Sequence, residues 1–462
     1  MKDYGQYKRL VRFVAGLVLV LAETAFFAYA WIFFYNDKME WPYVRLGHYF
    51  IATVYAFALL IFSRMYGGLK LGYMRIYEAI YAQTLATVAT NGVMYIPIVL
   101  LTKHIQKITP LVCMTILDFF VIVVWSVICI NLYCSMYPPR RILLIYGERP
   151  ISALMGKMSA RTDRFVVAET LHISVGEQII KEKIHEYQGV VICDLPSHIR
   201  NTILKYCYKE SIRVYATPKI SDIIIRSAEN LHFFDTPLIL ARNTGLSIEQ
   251  QMIKRALDLF ISLTALAVFS PIMLVTAIAI KIYDKGPVFF RQDRCTKEGK
   301  VFSIIKFRSM IIDAEERGIS IPATDKDPRI TPIGAFIRKV RIDEMPQLFN
   351  IIKGDMSLVG PRPERIEHVR LYSEEIPEFS YRMKVKGGLT GYAQVYGKYN
   401  TTAYDKLKMD LMYIQNYSFL LDIEILFKTI KILFMKESTE GFSEEAASRL
   451  VDETQEFKDI EG

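Results

Sequence analysis

Four long apolar runs fill the first third of this sequence and limit its fold more than any other feature. Residues 11–35, 46–65, 78–101 and 110–133 are each near or above the ~20 residues that carry a helix across a bilayer core. Hydrocarbon offers no partners to backbone amides, so such runs fold as helices that satisfy themselves. The first run is too long for a cleaved signal peptide, has no small-residue cleavage site, and is followed by further spans. Lys2, Lys8, Arg9 and Arg12 lead into run one, Arg64, Lys70 and Arg75 join runs two and three, and Arg140 and Arg141 follow run four. The opposite loops hold a mixed set (Asp37, Lys38, Glu40, Arg45) and a smaller basic cluster (Lys103, His104, Lys107). The positive-inside rule therefore places both ends of the bundle in the cytoplasm. Glu23 lies inside the first run. It reads either as a lipid- or proton-handling site or, preferably, as a buried helix–helix hydrogen bond.

Composition agrees. The 462 residues, enough for about three domains, are 52% hydrophobic with net charge +9, and the mean hydropathy is +0.21. A basic chain can bind nucleic acid or face anionic lipid. Here the charge hugs apolar segments and no nucleic-acid motif is present, so the membrane reading prevails. Cys113, Cys129, Cys134, Cys193, Cys207 and Cys295 show no CxxC pairing and no histidine at zinc spacing, which reads as neither a disulfide frame nor a metal site.

From Arg140 to about Leu246 the character changes. Residues 141–147, 164–171, 189–195 and 212–216 read as short buried strands, with polar helical segments at 174–186 and 197–210. Such alternation predicts a small parallel, Rossmann-like α/β layer. The first strand ends in Tyr146-Gly147-Glu148-Arg149-Pro150, not in a G-x-G-x-x-G turn, so no dinucleotide is assigned and a structural or regulatory module is expected. A fifth apolar stretch, 256–283, is interrupted by Ser270-Pro271 and flanked by Lys254, Arg255, Lys281 and Lys285. By itself it leaves two readings open, a kinked fifth span or a re-entrant helix that keeps both basic clusters on one face. Residues 417–435 mix Asp422, Glu424, Lys428 and Lys431 with apolar side chains, suiting a helix on the membrane surface or an ordinary core helix. Residues 437–462 form an acidic tail.

The chemistry concentrates in residues 333–363. Asp343 and Glu344 precede Met345-Pro346 and a short apolar run, which reads as a helix start with Asp343 at or near the N-cap, favourable to phosphate. Arg338, Arg341 and Arg362 are close in sequence, and arginine forks grip phosphate bidentately. An aspartate can attack phosphorus and form an acyl phosphate, while a neighbouring carboxylate can hold Mg²⁺. A bare Asp-Glu pair is more often a surface helix cap. Asp325-Lys326-Asp327 is a weaker D-x-D candidate for a metal, with solvated loop acids as the better reading.

These residues sit within a longer pattern. Lys254-Arg255, Ser270-Pro271, Gly286-Pro287-Val288-Phe289-Phe290 with Gln292 and Arg294, and Lys306-Phe307-Arg308-Ser309-Met310 come first. Asp327-Pro328-Arg329-Ile330-Thr331, Arg338, Asp343-Glu344 with Pro346-Gln347-Leu348, Lys353-Gly354-Asp355-Met356-Ser357, Gly360-Pro361-Arg362-Pro363 and Thr390-Gly391-Tyr392-Ala393-Gln394-Val395 follow in order. Over residues 251–434 this pattern resembles the bacterial sugar transferases, the monotopic phosphoglycosyl transferases that begin exopolysaccharide, capsule and glycan assembly. Met345, Tyr392 and Cys295-Thr296 depart from the usual leucine, tryptophan and apolar-glycine pair, which bears on substrate detail.

The resemblance implies that a sugar 1-phosphate passes from a UDP-sugar to undecaprenyl (polyprenyl) phosphate. Asp343 would be the nucleophile, releasing UMP and carrying a covalent phosphosugar. Glu344 would bind Mg²⁺, and Arg338 and Arg362, the latter held by Pro361 and Pro363, would steady phosphates. Lys306, Arg308 and Gln394 are further phosphate- or substrate-binding candidates. Ser270-Pro271 would turn the membrane helix back, keeping the catalytic part on the cytoplasmic face of the bacterial inner membrane. The expected fold is thus a membrane protein, α plus α/β. It comprises four transmembrane helices (1–138), an α/β domain (139–247), a monotopic catalytic domain with re-entrant and interfacial helices (248–436) and a tail (437–462). Expected partners are the UDP-sugar, polyprenyl phosphate and membrane lipid, with a homodimer as the candidate assembly and no nucleic acid. An ordinary glycosyltransferase using Asp325 and Asp327 would instead release UDP, and a membrane scaffold would release no nucleotide.

Overall fold

A computed structural model describes residues 4–147, 151–241, 245–312, 327–397 and 401–433. The expected acidic tail, and Asp325 and Lys326 of the D-x-D, lie outside the described residues. The chain divides into two compact units, Met1–Thr217 and Pro218–Gly462.

The first unit begins with α1 (Lys8–Ala30), α2 (Leu46–Tyr66), α3 (Ile76–Thr102) and α4 (Thr109–Met136). In α1 the buried positions Gly16, Leu19, Val20, Glu23, Phe27 and Ala30 recur every three or four residues, the spacing that lines one helix face. Its other face is equally apolar, with Phe13, Leu17 and Leu21 exposed, as expected of a helix surrounded by lipid. Phe27 stacks on Tyr55 of α2 with ring centroids 4.1 Å apart, and Trp125 of α4 donates to the Ala15 carbonyl at 2.8 Å. Glu23 makes the helix–helix hydrogen bonds that the sequence favoured, accepting from Gln83 and Thr87 of α3.

The α/β layer follows: β1 (Arg140–Tyr146), α5 (Ser152–Ser159), β2 (Phe165–His172), α6 (Glu177–Ile184), β3 (Gly189–Cys193), α7 (Ser197–Lys209) and β4 (Val214–Ala216). All pairings are parallel and the order is β2-β1-β3-β4. The central strands β1 and β3 are the most buried, because helices cover both faces of a doubly wound sheet. Beyond β1, a side chain at Gly147 would meet the Asp194 carbonyl oxygen at 2.4 Å, so this close approach requires glycine.

The second unit starts earlier than the 247/248 position read from sequence. Ile220 and Ile223 of α8 (Ile220–Arg226) enter its core, and an exposed hairpin, β5 (Glu229–Phe233) with β6 (Thr236–Leu240), comes next. Helix α9 (Ile248–Asp284) opens with Ser247 and Gln250 bonding each other's backbone N–H groups. The strands β7 (Phe289–Cys295) and β8 (Val301–Phe307) pair antiparallel. Then come α10 (Pro332–Lys339), α11 (Gln347–Lys353), β9 (Ser357–Val359), α12 (Ile366–Glu375), β10 (Gly388–Thr390), α13 (Tyr392–Tyr396), α14 (Ala403–Gln415) and α15 (Phe419–Leu433). Leu348, Ile351, Leu358, Phe379, Leu407, Leu411 and Ile425 form the core that joins them.

Among the described residues, five helical stretches are long and apolar enough to cross a membrane, one more than the four expected spans. The fifth is α9, the segment read as re-entrant. Helix continues through Pro271 where the sequence predicted an interruption, and Ser270 Oγ donates to the Ala267 carbonyl at 3.0 Å. One missing proline N–H is too small a loss to end a 37-residue helix.

Candidate active site

The site is assembled from β8, the turn before α11 and the loop after β9. Asn350 of α11 accepts from the Ile305 N–H at 3.0 Å and donates to the Ser303 carbonyl at 2.9 Å. One side-chain amide thereby stitches α11 to β8 and sets Glu344 opposite Lys306. Upstream, Thr331 caps α10 by accepting from Gly334 N–H at 2.9 Å. The chain then reverses at Arg341, which takes a left-handed conformation (φ 59°), into a single 3₁₀ turn, Ile342–Glu344. Asp343 is consequently not the N-cap of α11, as the sequence suggested; Pro346 holds that position with no side-chain cap. The positive field at the carboxylates comes instead from side chains.

Lys306 Nζ lies 3.1 Å and Arg362 Nη2 3.3 Å from Glu344 Oε1. Asp343 Oδ1 is buried with no hydrogen-bond partner. These neighbours drive the two carboxyls apart. Burial pushes Asp343 well above its ordinary value and the Glu344 charge adds to that, against Lys306, Arg341 and Arg338. Burial acts the same way on Glu344, but Lys306, Arg362 and Arg341 outweigh it and hold that carboxyl below the usual range. Adjacent acids with opposed shifts are a recurrent sign of divided chemical roles.

Arg362 is aimed by backbone contacts along its loop. Gly360 N–H donates to the Thr390 carbonyl at 2.8 Å, and the Pro361 carbonyl accepts from Gly388 at 2.9 Å. The Arg362 carbonyl accepts from Arg382 at 3.0 Å, and the Pro363 carbonyl from Arg294 at 3.3 Å. Arg382 is itself buried between Asp410, 2.7 Å away, and Glu364, 3.5 Å away. Burial, with Arg362 and Arg365 nearby, pushes the Arg294 guanidinium down to about 10, a sign of crowded positive charge. Thr296, one of the departures from the family pattern, bridges the Asp355 carbonyl and Gly387 N–H.

Other sequence candidates fall elsewhere. Arg308 is buried and engaged by both oxygens of Asp284 and by the Pro287 carbonyl, so it braces the end of α9 and not the carboxylates. Gln394 donates to Leu389. Asp327 is buried and gripped bidentately by Arg329, not solvated as expected. Arg338 acts on Asp343 through its charge. Arg382, Glu364, Asp410 and Asn350 carry no local motif, and sequence reasoning gave them no role.

Against known proteins, the model for bacterial sugar transferases matches residues 249–436, which contain every residue of this site. A UDP-N-acetylgalactosamine-undecaprenyl-phosphate N-acetylgalactosaminephosphotransferase of Aeromonas hydrophila is 41% identical over 233 residues, 50% of this chain and 54% of that protein. A UDP-glucose:undecaprenyl-phosphate glucose-1-phosphate transferase of Klebsiella pneumoniae is 35% identical over 259 residues, 55% of this chain and 54% of the relative. The chain thus spans about half the length of these two relatives. An exopolysaccharide production protein of Rhizobium leguminosarum bv. phaseoli is 40% identical over 187 residues, 39% of this chain but 94% of the relative. The chain belongs to the bacterial sugar transferase family. In this sugar transferase the family match begins within α9 and leaves the first unit outside it.

Proposed function

We propose that this sugar transferase moves a sugar 1-phosphate from a UDP-sugar to undecaprenyl phosphate and releases UMP. The activities of the Aeromonas and Klebsiella relatives support the substrates. The carrying observation is the buried, unpartnered Asp343 Oδ1 beside a Glu344 already neutralised by Lys306 and Arg362. A nucleophile needs an available lone pair, and the neighbouring cations suit an incoming diphosphate. Asp343 attacks the sugar-bearing phosphorus; an O–P bond forms, the phosphoanhydride breaks and UMP leaves with the electron pair. A polyprenyl phosphate oxygen then attacks the same phosphorus and frees the aspartate. Arg362 and Arg294 hold the diphosphate, whose charge relieves the crowding of their own.

Mg²⁺ fits the donors present, since it is commonly held by one or two carboxylates plus substrate phosphates, and Glu344 is such a donor, which leaves Asp343 Oδ1 for attack. Bound there, it would neutralise charge on the diphosphate. The lipid side is supported by exposed Phe336, Phe349, Leu420 and Leu433. In α15, Asp422, Lys428 and Lys431 turn inward while apolar residues face out, the reverse of a helix in water and suited to an interfacial position. A bend of α9 at Ser270-Pro271, within the membrane, that returns both of its ends to the cytoplasmic face of the inner membrane completes the proposal. Purified protein with Mg²⁺ and a panel of UDP-sugars should release UMP before acceptor is added, with a phosphosugar adduct on Asp343. Asp343→Asn should abolish both; normal turnover in that variant, or release of UDP, refutes the scheme.

A further inference from the structure

The membrane bundle contains a carboxylate that the transfer chemistry does not use. Glu23 of α1 and Asp118 of α4 are both fully buried, at 0% exposure. Glu23 is satisfied: Gln83 Nε2 donates to one oxygen at 3.1 Å and Thr87 Oγ1 to the other at 2.7 Å. Asp118 is not, for both its oxygens are buried with no hydrogen-bond partner. Asn91 of α3 reaches toward it; one of its amide hydrogens goes to Thr115 Oγ1 at 2.8 Å and its oxygen accepts from Tyr55 at 3.0 Å, leaving a single neutral N–H for the carboxyl. The titratable groups facing Asp118 are Glu23 from α1 and Tyr55 from α2. Neither is a cation.

An ionised carboxylate in this position would have no counter-charge and at most one neutral N–H, an arrangement that hydrocarbon penalises severely. Two neighbouring carboxylates also resist ionising together. Glu23 has the polar partners, Gln83 and Thr87, that Asp118 lacks. A metal cation would need several converging oxygens, and those of Asn91 and Thr115 are already engaged. We infer that Asp118 is a proton-binding site: the bundle holds its carboxyl in the neutral, protonated form. This site is independent of the transfer reaction.

Infrared spectra of the full-length protein in detergent test this directly. In neutral buffer, the wild type should show a protonated-carboxyl stretch that is missing from Asp118→Asn. In Glu23→Gln a protonated-carboxyl band should persist, which assigns it to Asp118 and not to Glu23; its loss in that variant overturns the proposal. Thermal unfolding gives a second reading. A proton bound more tightly in the folded bundle stabilises at low pH, and that contribution is lost as pH rises. Wild-type stability should therefore fall toward alkaline pH more steeply than that of the isosteric, permanently neutral Asp118→Asn. Identical carboxyl bands in wild type and Asp118→Asn overturn the proposal. A band removed by sodium at constant pH does so too, since it would identify a metal site.

Discussion

Removing Lys306 isolates what holds the two carboxyls apart. Its ammonium sits 3.1 Å from Glu344 Oε1, and the side chains of Lys306 and Glu344 are 19% and 15% exposed, so solvent screens the pair little. Lys306→Met deletes one charge-assisted hydrogen bond, a loss of about 1.5–3 kcal/mol. At about 1.4 kcal/mol per decade, that slows UMP release roughly 10- to 150-fold if the contact persists in the transition state. The sign of the pH effect follows from the charges. Lys306 favours the ionised form of both Asp343 and Glu344, so without it both carboxyls take up protons more readily. The nucleophile must be ionised, so the acid limb of UMP release should move to higher pH, by roughly one unit or more on the same energy scale. Lys306→Arg, which keeps the charge, should leave the limb near its wild-type place. Rates of UMP release across pH, measured without lipid acceptor, separate these outcomes. A Lys306→Met enzyme with an unmoved acid limb would show that this ion pair does not govern the carboxylates.

Arg382→Met strands Asp410 and weakens the support of Glu364, both carboxylates being buried. Breaking such a pair costs about 3–5 kcal/mol, read as a lower denaturation midpoint, and Asp410→Leu in the same chain should recover part of it. UMP release in that double variant should stay low, because the Arg362 carbonyl has lost its donor. Gly334→Ala puts a methyl 1.9 Å from the Ser309 carbonyl oxygen; backbone cannot swing away, so about 1–3 kcal/mol or more of stability is lost. Thr331→Ala removes the α10 cap for about 1 kcal/mol, measurable by the same denaturation assay.

The membrane helices were legible because twenty apolar residues in a row admit few other structures, and each run found a helix with ends within a few residues. The strands of the α/β layer were legible for a similar reason: central parallel strands are buried on both faces and read as continuous apolar runs. Asp343, Glu344 and Arg362 stood out because phosphoryl chemistry restricts the residue types, Lys306 entered through the family resemblance, and the structure places the four together. What sequence could not supply was pairing across distance. Arg308 looks like its neighbour Lys306, yet Asp284, 24 residues away, engages it. Arg382 and Asp410 meet across 28 residues without a motif. Asp118 was hidden because one acid among apolar neighbours barely alters the average hydropathy of its run. The N-cap assignment for Asp343 failed because the left-handed turn at Arg341 inserts a 3₁₀ turn before the helix.

The start of α9 explains why the membrane segment and the site belong to one construction. Arg255 donates to the Ile351 and Ile352 carbonyls at 2.6 and 2.7 Å, so its positive charge caps the C-terminal end of α11, whose other end follows Asp343 and Glu344. One turn on, Asp258 accepts from Leu358 N–H at 2.9 Å and Ser357 Oγ at 3.1 Å, fixing β9 just before the loop that aims Arg362. Between them in space, Lys254 is buried against Asp422 at 2.6 Å and ties in α15. Both arms of the site, the carboxylates and the arginine that faces them, are thus referenced to consecutive turns of a single helix. Their spacing is therefore set along one rigid element. The same geometry explains why Lys254 and Asp258 are buried and Arg255 half-buried at the start of an otherwise apolar segment: each satisfies a group that the neighbouring elements would otherwise leave unpaired.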